Sequence, residues 1–229
     1  MTFPAPYLID TPTSLPEAIP GADRTEHLDP ERSTLVGHED CDSGMKTSAI
    51  HPDPKANPWA PAVHGTLRSH NVGTVGYVPD GGLRDLLELC RADPLMRAVP
   101  LTTEEEGIGM AMGAWLGGEK TVLLLQSSGV GKLVNALGAV RECGFPLVML
   151  ATMRGEEGEL NPWQVPMGRA VATVLQAMGL LVSRVEEPRD VGPSVDAALR
   201  LAYEQDAAVA VLLSQKMLGI KSFQERIDS

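Results

Sequence analysis

Six short apolar runs, each set off by turn residues or helix-like sequence, limit what this chain can fold into. They fall at residues 72–78, 97–100, 121–126, 145–151, 180–185 and 207–214. Those at 121–126, 145–151 and 207–214 are almost uninterrupted by polar residues. Continuous apolar strands are buried on both faces, and alternation with helices pairs them in parallel. The prediction is an α/β fold: a single doubly wound, mainly parallel six-stranded sheet with helices on both faces. Ligands of such sheets sit beyond the carboxyl ends of the strands. Any chemistry is therefore expected from the loops at 79–82, 102–106, 127–131 and 152–166.

Residues 1–58 break the pattern. They hold nine of the 18 prolines and ten acids against four bases, with no sustained periodicity. That composition predicts an irregular, flexible N-terminal arm. The folded domain is expected at 59–220, with a polar tail at 221–229. A formal charge of -11 argues against nonspecific nucleic-acid binding. No apolar run reaches the roughly 20 residues of a spanning helix. The first twelve residues lack the basic start and apolar centre of a secretory signal. Cys41, Cys90 and Cys143 form no CxxC and show no ligand spacing with the five histidines. Reduced thiols, no metal site on this chain and a cytoplasmic location are expected.

The segment 101–137 carries the functional signals. Thr103 and Glu106 have capping-box spacing. Glu104, Glu105 and Glu106 then open a helix, where acids are favoured by the dipole. Gly107, Gly109, Gly113, Gly117 and Gly118 follow. A glycine inside a helix costs roughly 1 kcal/mol relative to alanine, so these suggest close approach of a backbone, a cofactor or a partner chain. Next, Gln126-Ser127-Ser128-Gly129-Val130-Gly131-Lys132 leads from a strand into a helix. It fits neither GxxxxGK[ST] nor GxGxxG. Its amides could face an anion or a polar ring, or could form a plain turn. Arg154, Gln164 and Arg169 lie in or beside the long loop after the fourth strand, where ordered loops are often functional.

On these residues the chain resembles the pyrimidine-binding domain of thiamine-diphosphate enzymes. The match runs over Glu105-Glu106-Gly107-Ile108-Gly109-Met110-Ala111-Met112-Gly113-Ala114-Trp115, Lys120 to Gln126, and Ser128-Gly129-Val130-Gly131. Val78-Pro79-Asp80 and Pro166-Met167-Gly168 also fit. The pattern is most similar to the alpha subunits of sulfopyruvate decarboxylase and to phosphonopyruvate decarboxylases.

The resemblance implies a glutamate that hydrogen-bonds the aminopyrimidine ring of the coenzyme and favours its imino form. Counted from Ala114-Trp115, in the place of the family's Gly-Tyr, that glutamate is Glu105. The role requires Glu105 to be shielded from solvent at a subunit interface. Ser128, Gly129 and Gly131 are implied to line the coenzyme. The superfamily's GDG motif with a downstream asparagine is absent. Thiamine diphosphate is therefore implied to be shared with a separate beta subunit, which would hold the diphosphate and Mg2+.

Lys132 stands where those decarboxylases commonly carry asparagine. It could pair with a sulfonate, phosphonate or carboxylate, or remain solvated. Asp80, Lys132 and Arg154 are the substrate-side candidates. The leading expectation is the alpha subunit of a decarboxylase acting on a 3-substituted pyruvate. A carboligating subunit of the acetolactate-synthase kind and a non-catalytic α/β binding subunit are the alternatives.

Overall fold

The computed structural model describes residues 58–219. The predicted N-terminal arm, apart from Pro58, and the polar tail lie outside the described residues. A six-stranded, all-parallel sheet runs through the molecule in the order β2-β1-β3-β4-β6-β5. Its strands are β1 (Val72–Tyr77), β2 (Arg97–Pro100), β3 (Lys120–Gln126), β4 (Leu147–Thr152), β5 (Leu181–Val185) and β6 (Ala208–Leu213). The doubly wound fold read from the sequence is the one observed, and every strand pair is parallel.

The strands form because their residues fill two cores at once. Val75, Tyr77, Val122, Leu124, Val148, Leu150, Val209 and Val211 point to one face. There they meet α1 (Ala60–Ser69), α2 (Arg84–Ala92) and α6 (Pro188–Gln205). Leu123, Leu125, Leu147, Met149, Ala151, Ala210 and Leu212 point to the other. That face is covered by α3 (Glu104–Leu116), α4 (Ser127–Cys143) and α5 (Gln164–Ala177). The period-2 alternation explains why central strands read as unbroken apolar runs. A short helix, α7 (Gln215–Leu218), follows β6.

Three local features differ from the sequence expectation. Helix α1 has no counterpart in it. Its Ala60, Val63 and Leu67 are fully buried, but the intervening polar residues and Pro61 mask their helical spacing. The supposed turn at 127–131 is the first turn of α4, which begins immediately after β3 at Ser127. The capping box is also displaced. Thr103 is the N-cap of α3 but makes no side-chain capping bond. Instead Glu106 reaches back to Thr102, accepting from its backbone N–H and its hydroxyl, each at 2.8 Å. Those bonds hold the Glu106 carboxyl below its ordinary pKa.

Strand order decides where a ligand can approach. The chain leaves β1 for β2 on one side and returns to β3 on the other. At such a reversal the following connections splay to opposite faces and open a crevice at the carboxyl edge. Here α2 lies on one face and α3 and α4 on the other. The Cys90 thiol lies on the α2 side, pushed up to about 12 by burial and by nearby Asp93. It stays a thiol at neutral pH. Among the described residues, no helix is long and apolar enough to cross a membrane.

Candidate functional site

The carboxyl ends of β1, β3 and β4 bring three polar side chains together. Gln126 and Thr152 are register partners on β3 and β4. Asp80, in the loop after β1, accepts from both: Gln126 Nε2 to Oδ1 and Thr152 Oγ1 to Oδ2, each at 2.8 Å. Its Oδ2 also accepts from the Gly82 N–H at 3.0 Å, capping a short 3-10 turn. Ser128 Oγ donates to Gln126 Oε1 at 2.8 Å. Asp80 therefore anchors the crevice floor, and this network fixes the start of α4.

Beside that floor lies an unusual carboxylate. Glu104, the first residue of α3, is only 5 % exposed. Its Oε2 is fully buried and has no hydrogen-bond partner among the described residues. The nearest cation is Lys132, with Nζ at 3.5 Å from Oε2 and a side chain 63 % exposed. Leaving a buried polar atom unpaired costs about 1–3 kcal/mol, more when it is charged. The carboxylate is pressed against α4. A Cβ added at Gly129 would lie 2.2 Å from Glu104 Oε1. Glycine at 129 is thus required by the carboxylate across from it.

Glu105, expected to be shielded at a subunit interface, is exposed in this chain by itself, whereas Glu104 is buried within the chain. Glu105 is exposed on the outer side of α3. A helix turns 100° per residue, so neighbouring glutamates cannot share a face. Glu104 lies in line with Gly107, Ile108 and Ala111, the buried stripe of α3. The glycines of α3 divide in the same way. A Cβ at Gly107 would meet Leu101 at 2.9 Å and Leu123 at 3.1 Å, which explains that residue within the chain. Gly109 and Gly113 have open space beside them.

Of the other sequence candidates, Gly129 is buried, Ser128 half-buried and Gly131 exposed, with the Met167 sulfur 3.2 Å from where its Cβ would be. Arg154 is buried, but it is not free to receive a substrate. Its guanidinium makes a two-pronged pair with Glu159, whose side chain is 1 % exposed. Glu159 also accepts from the N–H groups of Gly155 and Asn161 and from Gln215 Nε2. The Arg154 hydrogen bond, aided by these donors, holds the Glu159 carboxyl far below the usual carboxylate range. The Arg154 N–H donates to buried Ser127 Oγ at 2.9 Å. Gln164 and Arg169 lie on α5 and border a separate hollow or the loop beside it, away from Glu104.

Residues 153–163 are therefore a clamped loop. Gly168 of α5 packs on it so tightly that a Cβ would lie 2.0 Å from the Arg154 carbonyl oxygen. Two large apolar side chains, Leu160 and Trp163, project from this loop and are 61 % and 78 % exposed. Sequence reasoning missed Glu104, Gln126, Thr152 and Glu159. Only Glu104 carried a readable signal, its spacing from Gly107, Ile108 and Ala111.

The carboxyl edge of this doubly wound sheet thus carries a buried carboxylate with a glycine opposite it. Residues 59–175 match the family described as thiamine pyrophosphate enzyme, N-terminal TPP binding domain, and the chain belongs to that family. It is 36 % identical over 153 residues to sulfopyruvate decarboxylase subunit alpha of Methanothermobacter thermautotrophicus. That alignment covers 66 % of this chain and 93 % of the relative. A phosphonopyruvate decarboxylase of Streptomyces viridochromogenes is 33 % identical over 162 residues, which cover 69 % of this chain and 41 % of that protein. The fold is similar to part of a 2-oxoglutarate:ferredoxin oxidoreductase from Magnetococcus marinus, with a TM-score of 0.57 at 16 % identity. That match covers 73 % of this chain and 33 % of the larger one.

Proposed function

We propose that this chain is the alpha subunit of a thiamine-diphosphate-dependent decarboxylase acting on a 3-substituted pyruvate, with Glu104 as its coenzyme-facing acid. The observation that carries the proposal is the buried Oε2 of Glu104 at the switch-point crevice, which has no hydrogen bond and only the Lys132 ammonium at 3.5 Å. A heterocycle with a protonated ring nitrogen would supply the donor that this oxygen lacks. The residues present thus fit the pyrimidine half of the coenzyme.

Glu104 would hold a proton between its carboxyl oxygen and the ring nitrogen. Ser128, Gly129 and Gly131 would line the ring, and the Asp80–Gln126–Thr152 network would keep that surface fixed. When bound, thiamine diphosphate supplies a ring that accepts the electrons left by departing carbon dioxide. Glu105, exposed in this chain, is the alternative acid if a partner subunit covers the outer side of α3, and Arg154 serves the loop rather than the substrate.

A partner subunit would carry the diphosphate and Mg2+ and close the crevice. Among the described residues, no cluster of three or more His, Cys, Asp or Glu is placed to hold a metal ion. The exposed Leu160 and Trp163, at the same edge of the sheet, support coverage by another chain, since large aromatics anchor interfaces. The beta subunit is the occupant proposed, in a cytoplasmic enzyme. Co-expression with a chain carrying the GDG motif, followed by assay of carbon dioxide release from sulfopyruvate and phosphonopyruvate, tests the activity. A purified complex that releases none from either, with coenzyme bound, would rule the activity out.

Gly129→Ala probes the seat of the acid. The new methyl would occupy the place of Glu104 Oε1, and Glu104 would have to swing away. Coenzyme uptake by the assembled complex, measured by calorimetry, is expected to weaken at least about tenfold, the order set by losing one good contact of 1.4 kcal/mol. Unchanged uptake would place the ring elsewhere.

A further inference from the structure

We infer that the hollow between α5 and the edge strand β5 is a binding site for a small zwitterion with an apolar body, namely an apolar α-amino acid. The hollow measures about 700 Å³, within the roughly 300–1,000 Å³ usual for ligand sites. Its apolar wall is formed by Met153, Val165, Ala172, Val182 and Leu212. Met153 and Leu212 belong to the core, while Val165, Ala172 and Val182 are only half-buried by the chain itself. The other side of the hollow is the loop 153–163, through Gly155, Glu156 and Glu157. That side is preformed. Gly155 has φ +77°, and a Cβ there would lie 2.2 Å from the Gln164 carbonyl oxygen. A site already in its bound shape keeps more of its contact energy as affinity.

Four charged side chains border the hollow, and they differ in what they already hold. Arg184 donates to Glu156 Oε1 and, at 3.1 Å, to Glu186 Oε1. Glu156 Oε2 in turn accepts from the Gln215 N–H at 2.9 Å. Those charges are spent. Arg169 and Glu157 are exposed, and their side chains make no hydrogen bond or ion pair among the described residues. They are opposite in sign and border one hollow, yet do not meet each other. A simple anion would suit Arg169 but face the Glu157 carboxylate, and a simple cation would meet the converse. A molecule with an ammonium and a carboxylate on one carbon gives each a charge-assisted hydrogen bond, about twice as strong as a neutral one. Its side chain then lies on the apolar wall. The loop that walls the hollow also presents Leu160 and Trp163 to solvent, so the occupant bears on the segment proposed to meet the partner subunit.

Isothermal calorimetry on the full chain with three probes tests the site: L-phenylalanine, 3-phenylpropionate, which lacks the ammonium, and 2-phenylethylamine, which lacks the carboxylate. Phenylalanine should bind saturably, one per chain, and each analogue at least about tenfold more weakly, the order expected for one lost charge-assisted hydrogen bond. Arg169→Met should weaken phenylalanine and phenylpropionate by at least about fivefold and leave phenylethylamine unchanged, whereas Glu157→Gln should weaken phenylalanine and phenylethylamine and leave phenylpropionate unchanged. Both side chains are exposed, so neither variant threatens the fold. Ala172→Trp, which fills the hollow from α5, should remove the binding of all three probes. Absence of saturable phenylalanine binding to wild type would overturn the inference. Phenylpropionate bound as tightly as phenylalanine would also overturn it, because the site would then read only an anion. Affinities indifferent to Arg169→Met and Glu157→Gln alike would place the ligand elsewhere and overturn it too.

Discussion

Glu104→Gln should lower kcat of the assembled decarboxylase by at least about a hundredfold, whereas Glu105→Gln should change it by less than about threefold. A positioned acid or base contributes 10²–10⁴-fold when it exchanges a proton with the reacting group. Glutamine keeps the size and a carbonyl acceptor but cannot exchange a proton. A hundredfold loss corresponds to about 2.7 kcal/mol of barrier. The two side chains are adjacent in sequence but differ in every relevant physical respect. Glu104 is buried against Gly129, and its Oε2 makes no hydrogen bond among the described residues. Glu105 is exposed. Steady-state rates of carbon dioxide release from matched variants, at saturating coenzyme, decide between them. If Glu105→Gln proves to be the crippled variant, the partner subunit must bury the outer side of α3, and the assignment to Glu104 is wrong.

That one-residue difference shows how far the sequence was legible. Strand β2 was placed with both ends right, and the other strands within about two residues, because a buried parallel strand leaves a direct apolar signature. The carboxylate triplet was also found in the correct place, at the carboxyl edge of the sheet. Choosing within the triplet required knowing which side of α3 faces inward. Counting from Ala114-Trp115 pointed to Glu105. The spacing Glu104, Gly107, Ile108, Ala111 follows the i, i+3, i+4, i+7 rule for a buried stripe, which the sequence reading did not apply. The fold buries Glu104 within the chain; any shielding of Glu105 has to come from a partner subunit.

The Asp80–Gln126–Thr152 cluster was less accessible. Its members come from three separate connections and meet only because β1, β3 and β4 are neighbours in that order. The Arg154–Glu159 pair was hidden for a different reason. Both residues lie in a loop without periodicity, so nothing in the sequence says that a guanidinium there turns inward. Arg154 consequently read as a surface cation available to substrate. The structure makes it the centre of a buried clamp.

Removing the other half of that clamp should have the largest effect on stability. Glu159→Ala is expected to destabilise the folded chain by about 3 kcal/mol, the range found when one partner of a buried ion pair is deleted. The reason is the charge left behind. Arg154 is buried, and without Glu159 its guanidinium has lost its two-pronged acceptor, as have the N–H groups of Gly155 and Asn161. For a domain of this size that loss lowers Tm by roughly 6–12 °C. Glu159→Gln should cost less, since it keeps acceptor capacity but not charge.

The pH dependence gives an independent check. The folded state holds the Glu159 carboxyl far below its unfolded value, chiefly through the Arg154 hydrogen bond. Its contribution is therefore fully present above the ordinary glutamate pKa and declines as pH falls through that value towards the depressed one. Urea unfolding of wild type and Glu159→Gln should show a wide gap in stability at pH 7 that narrows progressively below about pH 4.5, near the ordinary glutamate value. A gap that stays constant down to pH 3 would mean that the carboxylate's charge contributes nothing to holding the loop. The exposed Trp163, carried on the same loop, would then be positioned by backbone packing at Gly155 and Gly168 alone.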